Sequence, residues 1–339
     1  MLMKIWVGAA LLLVLVSLLI ATAIPYRSEA VSFLHGDTRL AGDLLLPDAS
    51  ESALPVVIFV HGDGTVDRSC AGYYQPYFDA LLAAGIGVFS WDKPGVGESE
   101  GNWLDQTMAD RSAEVAAAVR YLRSRPEVDA KAIGLLGFSQ AGWVMPQALA
   151  QDPDLAFGVF ISTAIDWREQ GDYLTRQRLA SLGLSQQQLQ ESMAYNQALD
   201  QRLAQGMSYG EYQTYRGQHE PEFFQGSEMS PSRFRFAVNN MAADARRFLP
   251  HIRQPVLALF GDSDRNVDVQ QSINEYKTHI QSDFSYRVYA DVDHGLFKNQ
   301  YFADQPKDSL WFWLKMIVLG AEGLAPGVDE DIAGWIQQR

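Results

Sequence analysis

The sequence predicts a mostly parallel α/β sheet, covered by helices on both faces and interrupted once by a helical insertion. Three observations predict it. From Val31 onward, short apolar runs alternate with stretches of helical spacing, the pattern of strands joined by crossover helices. The alternation stops between Ile165 and Arg247 and resumes at Pro255. Finally, Ile133 to Leu136 runs directly into Gly137-Phe138-Ser139-Gln140-Ala141-Gly142, where small residues flank a serine at a strand-to-helix turn.

In chain order, Ile5 to Ile24 is apolar except for Ser17 and Thr22 and follows Lys4. Twenty such residues are long enough to cross a bilayer, and Lys4 favours a cytoplasmic N-terminus with the domain outside. Ala21-Thr22-Ala23 is also a small-x-small cleavage site. The expectation for residues 1–24 is therefore an anchor, or an export signal cleaved after Ala23. Val31 to Phe33 and Leu40 to Leu46, joined at His35-Gly36-Asp37, predict a hairpin. Val56 to Val60 reads as a buried strand, Tyr73 to Ala84 as a helix stopped by Gly85, and Ile86 to Trp91 as the next strand. Asp105 to Arg123 has helical spacing, with three alanines suited to packing on a sheet. Ile133 to Leu136 and Phe157 to Ser162 complete the first run of strands.

Residues 165–247 are rich in Gln, Tyr, Met and Arg, with a helix over Ser185 to Gln205 and no clear buried strand. They read as a lid placed above the strand ends, splitting a core of residues 25–164 and 248–339. Pro255 to Phe260, Val269 to Ile280 and Phe284 to Tyr289 then give strand, helix and strand.

A formal charge of -14 argues against a nucleic-acid partner, because phosphate binding needs clustered Lys and Arg. A single cysteine, Cys70, excludes an internal disulfide and any multi-cysteine metal site.

Reactive groups on a parallel sheet gather beyond the C-terminal strand ends. Ser139 follows one strand, His61-Gly62-Asp63-Gly64 another, Asp262 and Asp264 a third, and His294 a fourth. Serine needs a histidine to take its proton, and that imidazole needs a carboxylate to fix its tautomer. Of six histidines, His294 alone lies on a loop after a late strand, where Gly295 lets the backbone turn. Asp264 is placed to reach back to it, with Asp262 as the alternative; Asp293, adjoining His294, reads as a solvated loop acid. A calcium loop starting at Asp262 fails, because its sixth and twelfth positions are Val267 and Ile273. A developing oxyanion needs two main-chain amides. Gln140, just after the serine, supplies one and the Gly62-Asp63 turn the other.

These residues resemble the α/β-hydrolase superfamily. The resemblance rests on Gly137-Phe138-Ser139-Gln140, on His61-Gly62-Asp63-Gly64 with Asp67-Arg68, on Asp92-Lys93-Pro94-Gly95-Val96-Gly97-Glu98-Ser99, and on Pro255 to Asp264. It is greatest to the bacterial branch of serine aminopeptidase-like and prolyl-oligopeptidase-like hydrolases, and it supports Asp264 as the acid. Ala141 departs from the pattern. So does Trp311 to Leu319, which is too short to span a membrane and reads either as core or lid packing or as an interfacial helix. The resemblance implies a serine hydrolase with the triad Ser139, Asp264 and His294; by analogy with lidded members of the fold, its expected substrate is a carboxylic ester. Gln140, Gly62 and Asp63 form its oxyanion hole, and it needs no metal or organic cofactor. Serine peptidase, aminopeptidase or acyl thioesterase activity is the alternative, and a non-catalytic lidded binding protein is an alternative of another class. Partners are a small-molecule or short-peptide acyl substrate and, through residues 1–24, a membrane.

Overall fold

A computed structural model of the chain describes residues 25–48, 52–224, 228–303, 305 and 309–339. The anchor or signal expected over residues 1–24 lies outside the described residues. Among those described, no helix is long and apolar enough to cross a membrane.

Eight strands form one sheet: β1 (Tyr26–His35), β2 (Thr38–Pro47), β3 (Leu54–Val60), β4 (Gly87–Trp91), β5 (Val128–Phe138), β6 (Gly158–Ile161), β7 (Val256–Gly261) and β8 (Phe284–Tyr289), in the order β1-β2-β4-β3-β5-β6-β7-β8. The β1–β2 hairpin and the β2–β4 pair are antiparallel, and every later neighbour is parallel. The parallel strands are apolar on both faces because both faces are covered. In β3, Val56, Ile58 and Val60 join the core on one side, while Val57 and Phe59 join the core on the other. Helix α1 (Gln75–Ala83) packs Tyr77, Phe78 and Leu81 on the second face. Helix α2 (Met108–Arg123) packs Val115, Ala118 and Leu122 on the first, and α3 (Met145–Gln151) follows the serine turn.

The chain then leaves the sheet for α4 (Trp167–Ala180), α5 (Gln186–Ala204), α6 (Tyr209–His219) and α7 (Pro231–Asn240). Each begins at a side-chain cap, since Asp166, Ser185, Ser208 and Ser230 accept hydrogen bonds from first-turn amides. These helices share a small apolar cluster of Leu203, Tyr212, Phe234 and Met241. Two aromatic plugs seat them on the main core: Trp167 lies 4.8 Å from Trp143, and Phe236, fully buried, lies 5.3 Å from Trp103. Asn240 adds polar stitching, accepting from the Met108 amide at 2.8 Å and donating to the Gln106 carbonyl at 3.0 Å. Where the segment leaves and returns, Asp166 and Asp244 form a β-bridge, and Arg246 pairs with both.

The chain closes with α8 (Val269–His279), α9 (Asn299–Phe302), α10 (Leu310–Leu319) and α11 (Val328–Ile336). Helix α10 is split by face. Phe312 and Met316 are buried, while Leu310, Trp311, Leu314, Ile317 and Val318 are exposed.

Candidate active site

Strand β5 ends at Phe138, and Ser139 takes φ = +52° before a 3₁₀ turn over Ser139–Trp143. A left-handed non-glycine residue is strained, and close packing on both sides holds this one. A Cβ on Gly137 would collide with Met145 Sδ and stand 2.6 Å from the Ala141 methyl. A Cβ on Gly142 would strike the Ala164 carbonyl. The Ala141 departure is therefore accommodated. Its buried methyl fills space left by Gly137, and the glycine the turn requires stands one position later, at Gly142.

The structure brings Ser139, His294, Gly62 and Asp63 to one cavity of about 370 Å³, with Asn266 and an apolar wall that includes Tyr73, Tyr77, Phe138 and Phe297. Asp264 lies behind it, its side chain fully buried, with Oδ2 2.7 Å from His294 Nδ1. The other oxygen, Oδ1, accepts the amides of Asn266 (2.7 Å) and Val267 (2.9 Å). A carboxylate fixed this way accepts a hydrogen bond from His294 Nδ1–H and leaves Nε2 as the nitrogen free to take a proton.

His294 pairs with Asp264, as expected, and the alternative acid Asp262 accepts the Asp291 amide at 2.9 Å. Two other expectations about these loops change. Asp293 is not merely solvated: its Oδ1 takes the amides of Gly295 (2.8 Å) and Phe297 (2.9 Å) and shapes the histidine loop. Nor does Gly295 make the sharp turn. The left-handed residues are Asp291 (φ = +57°) and Leu296 (φ = +58°), and the missing Cβ of Gly295 leaves room for the Phe297 ring.

The loop after β3 is held from below. Lys93 Nζ donates to the carbonyls of Gly62 (2.6 Å) and Gly64 (3.0 Å), and Arg111 donates to that of His61 (2.7 Å). In a trans peptide the N–H points opposite the preceding C=O. Pinning the His61 and Gly62 carbonyls thus turns the Gly62 and Asp63 amides the other way. Gly62 lies against the serine, since a Cβ there would be 3.5 Å from Ser139 Cβ. Gln140 is stretched beside this loop, its Oε1 accepting from Arg111 and its Nε2 donating to Asp63 Oδ1 at 3.0 Å.

These groups are buried together. Burial, with the Lys93 charge, pushes His61 down to about 3, so it is neutral; it donates from Nε2 to the Trp91 carbonyl and accepts at Nδ1 from the Tyr74 hydroxyl. Burial also lowers Lys93 well below the usual amine range and raises Glu114 to about 7. Burial favours a neutral Asp63, but the Arg233 hydrogen bonds and charge outweigh it and hold that carboxyl below its ordinary value.

Lys93, Arg111 and Arg233 had no assigned role from sequence. Arg111 carried a legible signal: with Glu114 it interrupts the apolar face of α2 set by Met108, Val115, Ala118 and Leu122. The run from Asp92 to Ser99 positions Lys93. Asp92 accepts the Arg68 amide (2.8 Å) and the Glu98 amide (3.0 Å), and its carboxylate is 2.7 Å from the Arg68 guanidinium.

Residues 51–300 match the family of serine aminopeptidases termed S33, which covers most of the chain. The chain belongs to the S33 family. It is a serine hydrolase of the α/β-hydrolase fold. Similar solved structures include the Pyrococcus furiosus esterase Pf2001 (17% identity, 93% of this chain and 91% of that one, TM-score 0.57). Another is the Butyrivibrio proteoclasticus protein Est1E with ferulic acid bound (15% identity, 91% and 97%, TM-score 0.55). A third is an acylaminoacyl peptidase from Pyrococcus horikoshii (15% identity, 82% and 39%, TM-score 0.53). At these identities the likeness is one of fold. No curated protein sequence matches the S33-family chain.

Proposed function

We propose that the protein is a carboxylic ester hydrolase with Ser139 as nucleophile, His294 as base and Asp264 as the orienting acid. One observation carries the reading: the 2.7 Å His294–Asp264 pair borders the cavity onto which the strained Ser139 opens. Ser139 Oγ attacks the acyl carbonyl carbon as its proton passes to His294 Nε2. The amides of Gln140 and of the Gly62-Asp63 turn meet the developing oxyanion. Collapse breaks the bond to the alcohol, which leaves with the proton from His294, and water then releases the acid by the same steps in reverse roles.

The chemistry of the cavity supports an uncharged acyl substrate. Asp63 is the carboxylate among its lining residues, and Arg233 and Gln140 already engage it. A free substrate ammonium would have to compete with a bidentate guanidinium. Aminopeptidase action, which the family name favours, is the second reading. Comparing kcat/KM for 4-nitrophenyl butyrate with that for alanine 4-nitroanilide tests the choice: the ester is expected to lead by at least about a hundredfold. Preference for the anilide, abolished in Ser139→Ala, would replace esterase by aminopeptidase.

For Ile5 to Ile24 the proposal is an anchor with the domain outside the cytoplasm, or export with cleavage after Ala23. Alkaline washing of membranes separates these, and full-length protein in the cytosolic fraction would overturn both.

A further inference from the structure

We propose that Arg233, on helix α7 of the inserted segment, is a positioning residue for the oxyanion site, so that the insertion is a working part of the catalytic machinery. This rests on the hydrolase reading above. Arg233 grips Asp63 with both ends of its fork, at 2.9 Å to Oδ1 and 2.6 Å to Oδ2. Asp63 Oδ1 also accepts from Gln140 Nε2, and Gln140 Oε1 accepts from Arg111, which holds the His61 carbonyl. The two loops offering main-chain donors to the oxyanion are therefore joined through side chains, and the outer end of that chain is an arginine 170 residues from Asp63.

The Arg233 stem is itself fixed, its guanidinium 5.0 Å from the centre of the Phe236 ring and 5.7 Å from that of Trp103. Phe236 and Trp103 are the aromatic pair seating α7 on the core. The orientation of the guanidinium is thus inherited from the packing of the insertion. The ion pair is a third or more exposed on each side, and such pairs contribute at most about 1 kcal/mol to stability. Its consequence is geometric. Without the fork, Asp63 keeps Gln140 and the Gly64 main chain beside it, and the Gly62-Asp63 peptide loses its tie to the inserted segment. The opposite rim is tied in the same manner, with Tyr173 of α4 donating to the Asp264 carbonyl at 2.8 Å and Gln170 to that of Asn266 at 2.9 Å.

The test is steady-state kinetics of the full chain on 4-nitrophenyl butyrate for wild type, Arg233→Ala, Arg233→Lys, Asp63→Asn and the double variant Asp63→Asn/Arg233→Ala. Arg233→Ala should lower kcat about tenfold with KM within about twofold, Arg233→Lys should recover part of the loss, and the double variant should be no worse than its poorer parent. Arg235→Ala, on the same helix but 3.6 Å from exposed Asp105, should match wild type. If Arg233→Ala does not fold, Arg233→Lys and Asp63→Asn carry the test. A kcat unchanged in the folded Arg233 variants, or losses that simply add, would overturn the proposal while the hydrolase reading stands. A wild type inactive on every ester, thioester and aminoacyl substrate tried would instead remove the reading on which it rests.

Discussion

The two banks of the cavity are built differently. On the histidine bank two carboxylates draw amides from their own loops: Asp264 takes those of Asn266 and Val267, and Asp293 those of Gly295 and Phe297. On the oxyanion bank the carbonyls of His61, Gly62 and Gly64 are held by Lys93 and Arg111, and Asp63 by Gln140 and Arg233. On the histidine bank α4 reaches only the main-chain carbonyls of Asp264 and Asn266, whereas the oxyanion bank exists only once β3, β4, α2 and α7 have assembled. Replacing the triad acid should therefore act mainly on chemistry, and substitutions on the oxyanion bank on stability and chemistry together.

The largest effect tests the histidine bank. Asp264→Asn keeps an oxygen for the loop amides but cannot hold His294 in its working tautomer, so kcat for an ester should fall by roughly three to four orders of magnitude with the melting temperature nearly unchanged. A loss below tenfold would remove Asp264 from the triad. Next, Arg111→Met strips partners from the His61 carbonyl and Gln140 Oε1. Stability in urea should drop by about 2–4 kcal/mol and kcat by about ten- to a hundredfold. If kcat held while stability fell, the oxyanion bank would be scaffold only.

A third prediction uses the buried titrating groups. Glu114, raised to about 7 from 4.5, gives the folded chain the extra proton between those values, so its contribution to stability falls as pH rises. His61, lowered to about 3 from 6.5, gives the unfolded chain the extra proton, so its contribution falls as pH drops. Between pH 4.5 and 6.5 the two oppose each other. In Glu114→Gln the His61 slope is no longer offset by Glu114, and stability relative to wild type should fall on acidification across that window by about 1.4 kcal/mol per pH unit. Parallel curves would mean that Glu114 does not take up the extra proton on folding. The smallest effect belongs to Asp262→Ala, which loses a tie to the Asp291 amide; about 1 kcal/mol of stability and less than a twofold change in kcat are expected. A large loss of kcat would favour Asp262, the alternative acid, over Asp264.

The same contrast explains what the sequence made legible. Strand and helix identity followed from apolar alternation, so the hairpin, β3 to β8 and the helices over 75–83 and 108–123 were expected in place, although β1 and β5 begin five residues before their apolar cores. Ser139 and His294 could be proposed because each stands just past a strand end; Asp264 and Asp262 share such a position, and the family resemblance favoured Asp264, which lies 2.7 Å from His294. The work of Lys93, Arg111 and Arg233 could not be placed, because it depends on which carbonyl or carboxylate each meets across the fold. Lys93 sat within a run that carried the family resemblance but no role for the lysine, and Arg233 lay among the polar residues of the insertion. Gly295 was misjudged for a related reason: it serves the Phe297 ring, a packing partner that spacing does not reveal.

The most direct measurement is fluorophosphonate labelling of purified full-length protein, read by intact-mass spectrometry. Wild type should gain one phosphonyl group on Ser139, Ser139→Ala none, and His294→Ala at a rate lower by at least about a hundredfold. Equal labelling of wild type and His294→Ala, or a label on another residue, would contradict activation of Ser139 by the His294–Asp264 pair.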